Sequence, residues 1–195
     1  MRDRLLEAAD RLFYAEGTRA VGIDRVLAEA EAAKASLYSH FGCKDELVAA
    51  YVQQRIASAR ASIEAFVAPI PPCERALRIF DWIVAWVESP DFMGCPLQRV
   101  VGEVADARHP ARVLAADQRD WLRARFVEWV KAAGVANAPQ VATALLVLFD
   151  GAVIASVQDG PRRARDARWA AGALLQAAGG GRAEARTSKL RKPGR

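Results

Sequence analysis

The chain is poor in the residues that catalysis and metal binding draw on most. In 195 residues it has two histidines, His40 and His109, and three cysteines, Cys43, Cys73 and Cys95. An odd number at wide spacing matches neither a disulfide framework nor a zinc site. There is no Cys-x-x-Cys, no glycine-rich phosphate loop and no histidine pair at i, i+4, so the usual metal and nucleotide constellations are missing. No uninterrupted apolar run reaches the roughly 18 residues of a spanning helix. Charges break every apolar turn of the opening MRDRLLEAADRLF, unlike a signal peptide. Strand-like alternation of convincing length is lacking too. These absences predict an all-α, cytoplasmic protein that is not an enzyme, with no metal, no cofactor and no membrane partner.

What is present is a folding composition: 52% hydrophobic and 26% charged residues, with 28 basic side chains against 23 acidic. The net charge of +5 is uneven. In residues 179–195, six of seventeen side chains are basic (Arg182, Arg186, Lys189, Arg191, Lys192, Arg195) and Glu184 alone is acidic, so this tail carries the whole surplus. Following Gly179–Gly181 and lacking core-forming residues, it is expected to stay mobile and to add affinity for polyanions without sequence preference. A solvated terminus that aids solubility is the plainer alternative.

Apolar periodicity divides the rest into helices. Leu5, Leu6, Ala9, Leu12 and Phe13 mark the first, to about residue 16, with Gly17 ending it. Ile23, Val26, Leu27 and Ala30 mark a brief second helix behind Gly22. KASLYSHF makes a third, with Leu37 and Phe41 on one face. From Lys44 a stripe through Leu47, Val48, Tyr51, Val52, Ile56, Ile63 and Phe66 predicts a helix long enough to leave one domain and enter another. After the break at Pro69–Pro72, further helices are expected to about Ser89, from Leu97 to about Ala107, from Pro110 to Ala133, from Pro139 to Val157 and from Arg162 to Ala178. The segment Pro139–Val157 is apolar nearly all round, which favours burial of the last two helices against a second copy, a homodimer. A single bundle large enough to cover them is the alternative.

Three short helices, the second and third joined by a tight turn, form the arrangement that sets the third in the major groove of double-stranded DNA. Helix 3 supplies what such a helix needs. Ala33, Ala35 and Ser36 are small enough for close approach, while Lys34, Ser36, Tyr38 and His40 reach phosphates and base edges. Lys44 adds its ammonium to the N–H groups of a helix start, a phosphate clamp, and Arg25 is a further cation. Taken singly these residues have duller uses: Tyr38 as a core ring, His40 as a helix cap, Lys44 as a solvated charge. Together within about ten residues they favour DNA contact.

Residues 5–52 resemble the DNA-binding domain of TetR-type bacterial transcriptional regulators. The likeness is carried by Ala9, Leu12-Phe13 and Gly17, then Leu37-Tyr38, His40-Phe41 and Lys44-Asp45-Glu46-Leu47. It implies a DNA-binding domain at 1–48, a helical ligand-binding and dimerisation domain at 49–178, and the basic tail at 179–195. It further implies a homodimer that represses a promoter until a small molecule releases it. The sequence departs from the family at Gly22, where Thr or Ser commonly caps helix 2, at Ala33, where Ser caps helix 3, and at Glu31, where the tight turn commonly has Gly. Each lost cap costs about 1 kcal/mol, and a non-glycine residue at positive φ costs a comparable amount. Glu31 also brings negative charge toward the DNA backbone.

For the ligand the aromatics of residues 75–135 suggest an apolar pocket lined by Trp82, Trp86, Trp121 and Phe126, with Cys95 near a helix start; ordinary core packing is the competing use of each. The Gly94-Cys95 pair, with Glu103 and His109-Pro110 beyond, resembles a subgroup of the family in which some members sense electrophiles or oxidants through cysteine. Cys95 and Cys43 are the redox candidates. Two further alternatives stay open: an enzyme with Cys95 as nucleophile and His109 as base, and a helical protein that binds nucleic acid through its tail alone.

Overall fold

The computed structural model describes residues 1–190, with side chains described as far as residue 179. The described residues form helices α1 (Arg2–Glu16), α2 (Ile23–Glu29), α3 (Lys34–Phe41), α4 (Lys44–Val67), α5 (Arg75–Val87), α6 (Pro96–Glu103), α7 (Pro110–Ala132), α8 (Ala138–Asp159) and α9 (Arg162–Leu190), and among them there is no strand. The all-α expectation holds.

Two compact units result. The first joins Met1–Ser62 to Met93–Asp120; the second joins Ile63–Phe92 to Trp121 and the residues after it. The backbones of α4 and α7 each pass from one unit to the other without a break. The chain is therefore not cut once in linear order, and α6 with the start of α7 belongs to the N-terminal unit.

In the first unit the apolar stripe of α1 (Leu5, Ala9, Phe13) packs with Val26 of α2, Leu37 of α3 and Leu47, Tyr51 and Val52 of α4, all at most 1% exposed. Val100 of α6 and Ala111 of α7 complete this core. Helices of seven and eight residues are too short to persist alone in water, so α2 and α3 exist because their buried residues anchor them here. Each fully buried Leu or Phe contributes roughly 1.5–3 kcal/mol.

The second unit packs α5 against α8 and α9. Ile79, Phe80 and Ile83 of α5, Phe126 and Trp129 from the end of α7, and Leu145, Leu146 and Val153 of α8 are buried. Rings dominate this core: Phe126 lies 6.3 Å from Phe80 and 6.0 Å from Phe149, and Trp82 stacks on Phe149 at 6.3 Å with planes 10° apart. Arg168 of α9 pairs with Asp81 of α5, and Arg165 with Glu88. α8 has a window of mean hydropathy 1.9 and is long and apolar enough by length and composition to cross a membrane; 44% of that window is buried.

Two helix ends differ from expectation. α6 stops at Glu103 rather than near Ala107, because Val104 turns extended (φ −101°, ψ 111°) and the Asp106 carboxylate accepts the Arg108 N–H at 2.9 Å, a turn that competes with helix. α9 runs on past Ala178 through Gly179–Gly181 to Leu190, so the backbone expected to be mobile is helical over that part. Three glycines cost roughly 1 kcal/mol each relative to alanine, but helix formers follow directly, Arg182 to Arg186. Arg191, Lys192 and Arg195 of the basic tail lie outside the described residues, as do the side chains of Arg182, Arg186 and Lys189.

Candidate nucleic-acid interface

The interface is built from α3 outward. Leu37 (0% exposed) and Phe41 (7%) root the helix in the first unit's core. Helical spacing leaves the other side chains of α3 outward: Lys34, Ala35, Tyr38, Ser39 and His40 are exposed and Ser36 is half-buried. Tyr38 keeps 45% of its surface, so it does not close the core with its ring. The outward face therefore offers an ammonium, two hydroxyls, a phenol and an imidazole around one alanine, a set able to donate to phosphates and base edges while allowing close approach. Gly42, at φ 71°, ends α3 and lets the chain turn directly into α4.

Lys44 opens α4 half-buried, beside Cys43, whose carbonyl accepts the Leu47 N–H at 3.2 Å. The N–H groups of the first turn have no earlier helical carbonyl to meet and favour an anion. The same turn carries two acids, Glu46 and Asp45, the latter 3.4 Å from His109 Nε2. His109 Nδ1 in turn accepts the Ala111 N–H at 3.1 Å.

Arg25 is placed differently from a free phosphate contact. It grips Glu16 with both terminal guanidinium nitrogens, one at 2.9 Å, across the exposed gap between α1 and α2. Its hydrogen bond and charge hold the Glu16 carboxyl below the usual carboxylate range, and Glu16 pushes the Arg25 value up in return.

The turn between α2 and α3 contains the one non-glycine residue at positive φ among those described, Glu31 at 47°. The sequence predicts this strain, and the structure supplies a partner for it. Arg4 of α1 donates to the Ala30 carbonyl at 2.7 Å and to the Glu31 carboxylate at 3.3 Å. Arg11 of α1 adds a bond to Glu29 at 2.9 Å. No side-chain cap bond forms at Gly22 or Ala33, in keeping with the residues missing there. Arginines on the polar face of α1 thus hold a motif that lacks its own caps. Sequence pattern does not reveal them, because a solvated arginine and a clamping arginine look alike along one helix face.

The ligand candidates divide between the units. Trp82 and Trp86 are half-buried in the second unit with centroids 5.4 Å apart, and Trp86 meets Phe92 edge-on at 5.3 Å. Phe126 is fully buried against Phe80, Trp129 and Phe149, and Trp121 carries the Arg125 guanidinium 5.6 Å from its ring. Cys95 is half-buried in the first unit as the residue preceding α6, and Cys43 is exposed. An open cavity of about 290 Å³ lies in the first unit, lined by residues including Arg2, His40, Phe41, Glu46 and Leu114, and the Arg2 guanidinium stands 5.1 Å from the Phe41 ring. Among the described residues no group of three or more His, Cys, Asp or Glu is placed to hold a metal ion.

Comparison with known proteins agrees with this geometry. Residues 5–51 match the family described as bacterial regulatory proteins, tetR family. The structure of SCO4454, a TetR-family transcriptional regulator from Streptomyces coelicolor, is 32% identical and superposes with a TM-score of 0.86, covering 91% of this chain and 95% of that one. The SAV143 structure from Streptomyces avermitilis is also 32% identical, with a TM-score of 0.73 and coverage of 91% and 97%. The HTH-type transcriptional regulator LmrA of Bacillus subtilis is 25% identical over 167 residues, which is 80% of this chain and 86% of LmrA. A helix-turn-helix with a polar, exposed third helix, matched in sequence over the motif and in structure over nearly the whole length, shows that this chain belongs to the TetR family of bacterial transcriptional regulators.

Proposed function

We propose that the chain acts in the cytoplasm as a homodimeric repressor that leaves a pseudo-palindromic operator when a small molecule binds. The observation that carries the DNA part is the arrangement of α3: Leu37 and Phe41 fix it from below while Lys34, Ala35, Ser36, Tyr38 and His40 face away from the core. Lys44 adds a phosphate contact, and Arg25 joins when Glu16 yields it. In this reading residues 1–48 bind DNA and residues 49–178 bind the ligand and the second copy.

The dimer reading rests on apolar surface. Val147 (60% exposed), Ile154 (48%) and Val157 (56%) on α8 and Trp169 (76%) on α9 stand in solvent in the single chain. Val147 and Ile154 are seven residues apart, two turns, and so share one face. Four large apolar side chains on two adjacent helices are more than a monomer usually exposes together. Reading two half-sites one helical turn of DNA apart requires two copies of α3 about 34–36 Å apart. The half-buried pair Trp82 and Trp86 is the accessible part of the candidate ligand wall.

Selection of bound sequences from random duplex DNA by the purified protein tests the reading. A consensus of two inverted half-sites is expected. Enrichment of a single asymmetric site, or of none, would overturn it.

A further inference from the structure

The recognition motif lacks side-chain caps at both of its short helices, so the placing of α2 depends on what grips the segment before it. That segment follows Gly17, and a residue 85 positions along the chain from Thr18 grips it. Glu103 Oε2, at the end of α6, accepts the Thr18 N–H at 2.7 Å, the Thr18 hydroxyl at 2.6 Å and the Arg19 N–H at 3.1 Å. Thr18 is 4% exposed and Glu103 is half-buried, so the two bonds to Thr18 are partly screened from water while the bond to Arg19 is exposed. The carboxylate sits so close that a Cβ at Gly17 would clash with Glu103 Oε1, and Gly17 has φ 93°, a conformation suited to glycine.

The neighbouring contacts point the same way. Arg99 of α6 donates to the Tyr14 carbonyl, in the last turn of α1, at 2.6 Å. The Tyr14 hydroxyl donates to the Gly94 carbonyl at 3.2 Å and accepts the Met93 N–H at 3.0 Å. A carboxylate beside the C-terminal end of α1 works against the helix dipole, and three hydrogen bonds to one oxygen offset that cost. All of these residues belong to the first unit.

From this we infer that Glu103 is a positioning residue for DNA recognition: through Thr18 and Arg19 it fixes where α2 begins and hence how α3 is presented. It touches no base and no phosphate itself. The inference rests on the proposed reading of paired half-sites by α3, and its test separates the two.

Full-length protein carrying Glu103→Gln, Thr18→Val, Thr18→Ser or the Glu103→Gln/Thr18→Val pair is titrated with the duplex that the wild type selects and with a scrambled duplex, well below the melting transition. Glu103→Gln and Thr18→Val are each expected to weaken binding of the selected duplex about tenfold, the scale of one lost bond to a charged group, with little change on the scrambled duplex. The double variant should lose less than the two single losses added together, since Thr18→Val removes one of the three bonds and Glu103→Gln the charge that strengthens the same bond. Thr18→Ser, which keeps the hydroxyl, should bind like the wild type. If the single variants bind the selected duplex normally, or if both duplexes lose affinity in parallel, Glu103 serves stability alone and the inference falls. Should Glu103→Gln not fold, the contrast between Thr18→Val and Thr18→Ser decides the matter by itself. A wild type that selects no paired half-sites overturns the proposed function and this inference together, whereas a clean consensus with indifferent variants removes only Glu103.

Discussion

Arg4 lies 2.7 Å from the carbonyl of Ala30, the residue that closes α2, and the same guanidinium nitrogen is 3.3 Å from the Glu31 carboxylate. One side chain of α1 therefore satisfies a helix-end carbonyl and partners the acid that the sequence places, at positive φ, in the recognition turn. The charge of Glu31 is part of how this turn is held as well as a burden near DNA. Because both side chains are more than half exposed, the ion pair itself is worth little; the bond to the half-buried carbonyl matters more.

Arg4→Ala should accordingly lower unfolding stability by about 1–2 kcal/mol in a denaturant titration, the cost of leaving that carbonyl without a protein partner. Arg4→Lys should recover part of this loss, since one guanidinium nitrogen makes both bonds and an ammonium can donate to both acceptors. Unchanged midpoints in both variants would show that water replaces Arg4 at no cost.

Lys44→Ala and Glu16→Gln should move the salt dependence of DNA binding in opposite directions. Removing the Lys44 ammonium flattens the slope of log affinity against log salt by roughly one unit. Glu16→Gln releases Arg25 from its carboxylate partner, and a freed guanidinium reaching a phosphate steepens the slope by about the same amount. Titrations at several salt concentrations measure both. An unchanged slope for Lys44→Ala removes it from the phosphate contacts, and an unchanged slope for Glu16→Gln does the same for Arg25.

The Glu16–Arg25 pair also has a pH signature. Its carboxyl is held below the ordinary value, so the stability it adds is fully present above the unfolded-state value and is lost as pH falls through the folded-state one. Acid titration of wild type against Glu16→Gln should show curves that converge at the acid end. Being exposed on both sides, the pair should contribute a small effect, and a difference that grows toward low pH would contradict the assignment.

Leu37→Ala should cost about 2–5 kcal/mol, because Leu37 is fully buried beneath the recognition helix and its loss leaves a cavity there. Tyr38→Ala, on the opposite face, should leave the melting temperature nearly unchanged while weakening DNA binding. A reversal of these two effects would mean that α3 is turned the other way.

If the proposed dimer pairs through α8 and α9, Ile154→Glu should shift the protein to monomer in light scattering after size exclusion, with far-UV circular dichroism retained. The charge would sit on the exposed face of α8 that Ile154 shares with Val147. A variant that stays dimeric would place the pairing surface elsewhere.

Much of this was readable along the chain. Helix positions followed from spacing because every helix has an apolar face to bury, and α3 declared its two faces through Leu37 and Phe41 on one side and Lys34, Tyr38 and His40 on the other. The missing caps at Gly22 and Ala33 and the strained place of Glu31 were legible too, since capping and positive φ are properties of single residues. The end of α6 was not, because whether Val104 continues the helix depends on competition from Asp106 rather than on periodicity.

The sequence by itself determined the helices, the outward face of the reader and the residues its turn lacks, because these depend on interactions between near neighbours. Tertiary structure alone decided that Glu16 occupies Arg25, that Arg4 steadies Glu31, and that Glu103 closes on Thr18 from 85 positions away. A charged side chain carries no sign of its partner in its spacing; only the folded path of the chain brings the two within bonding distance.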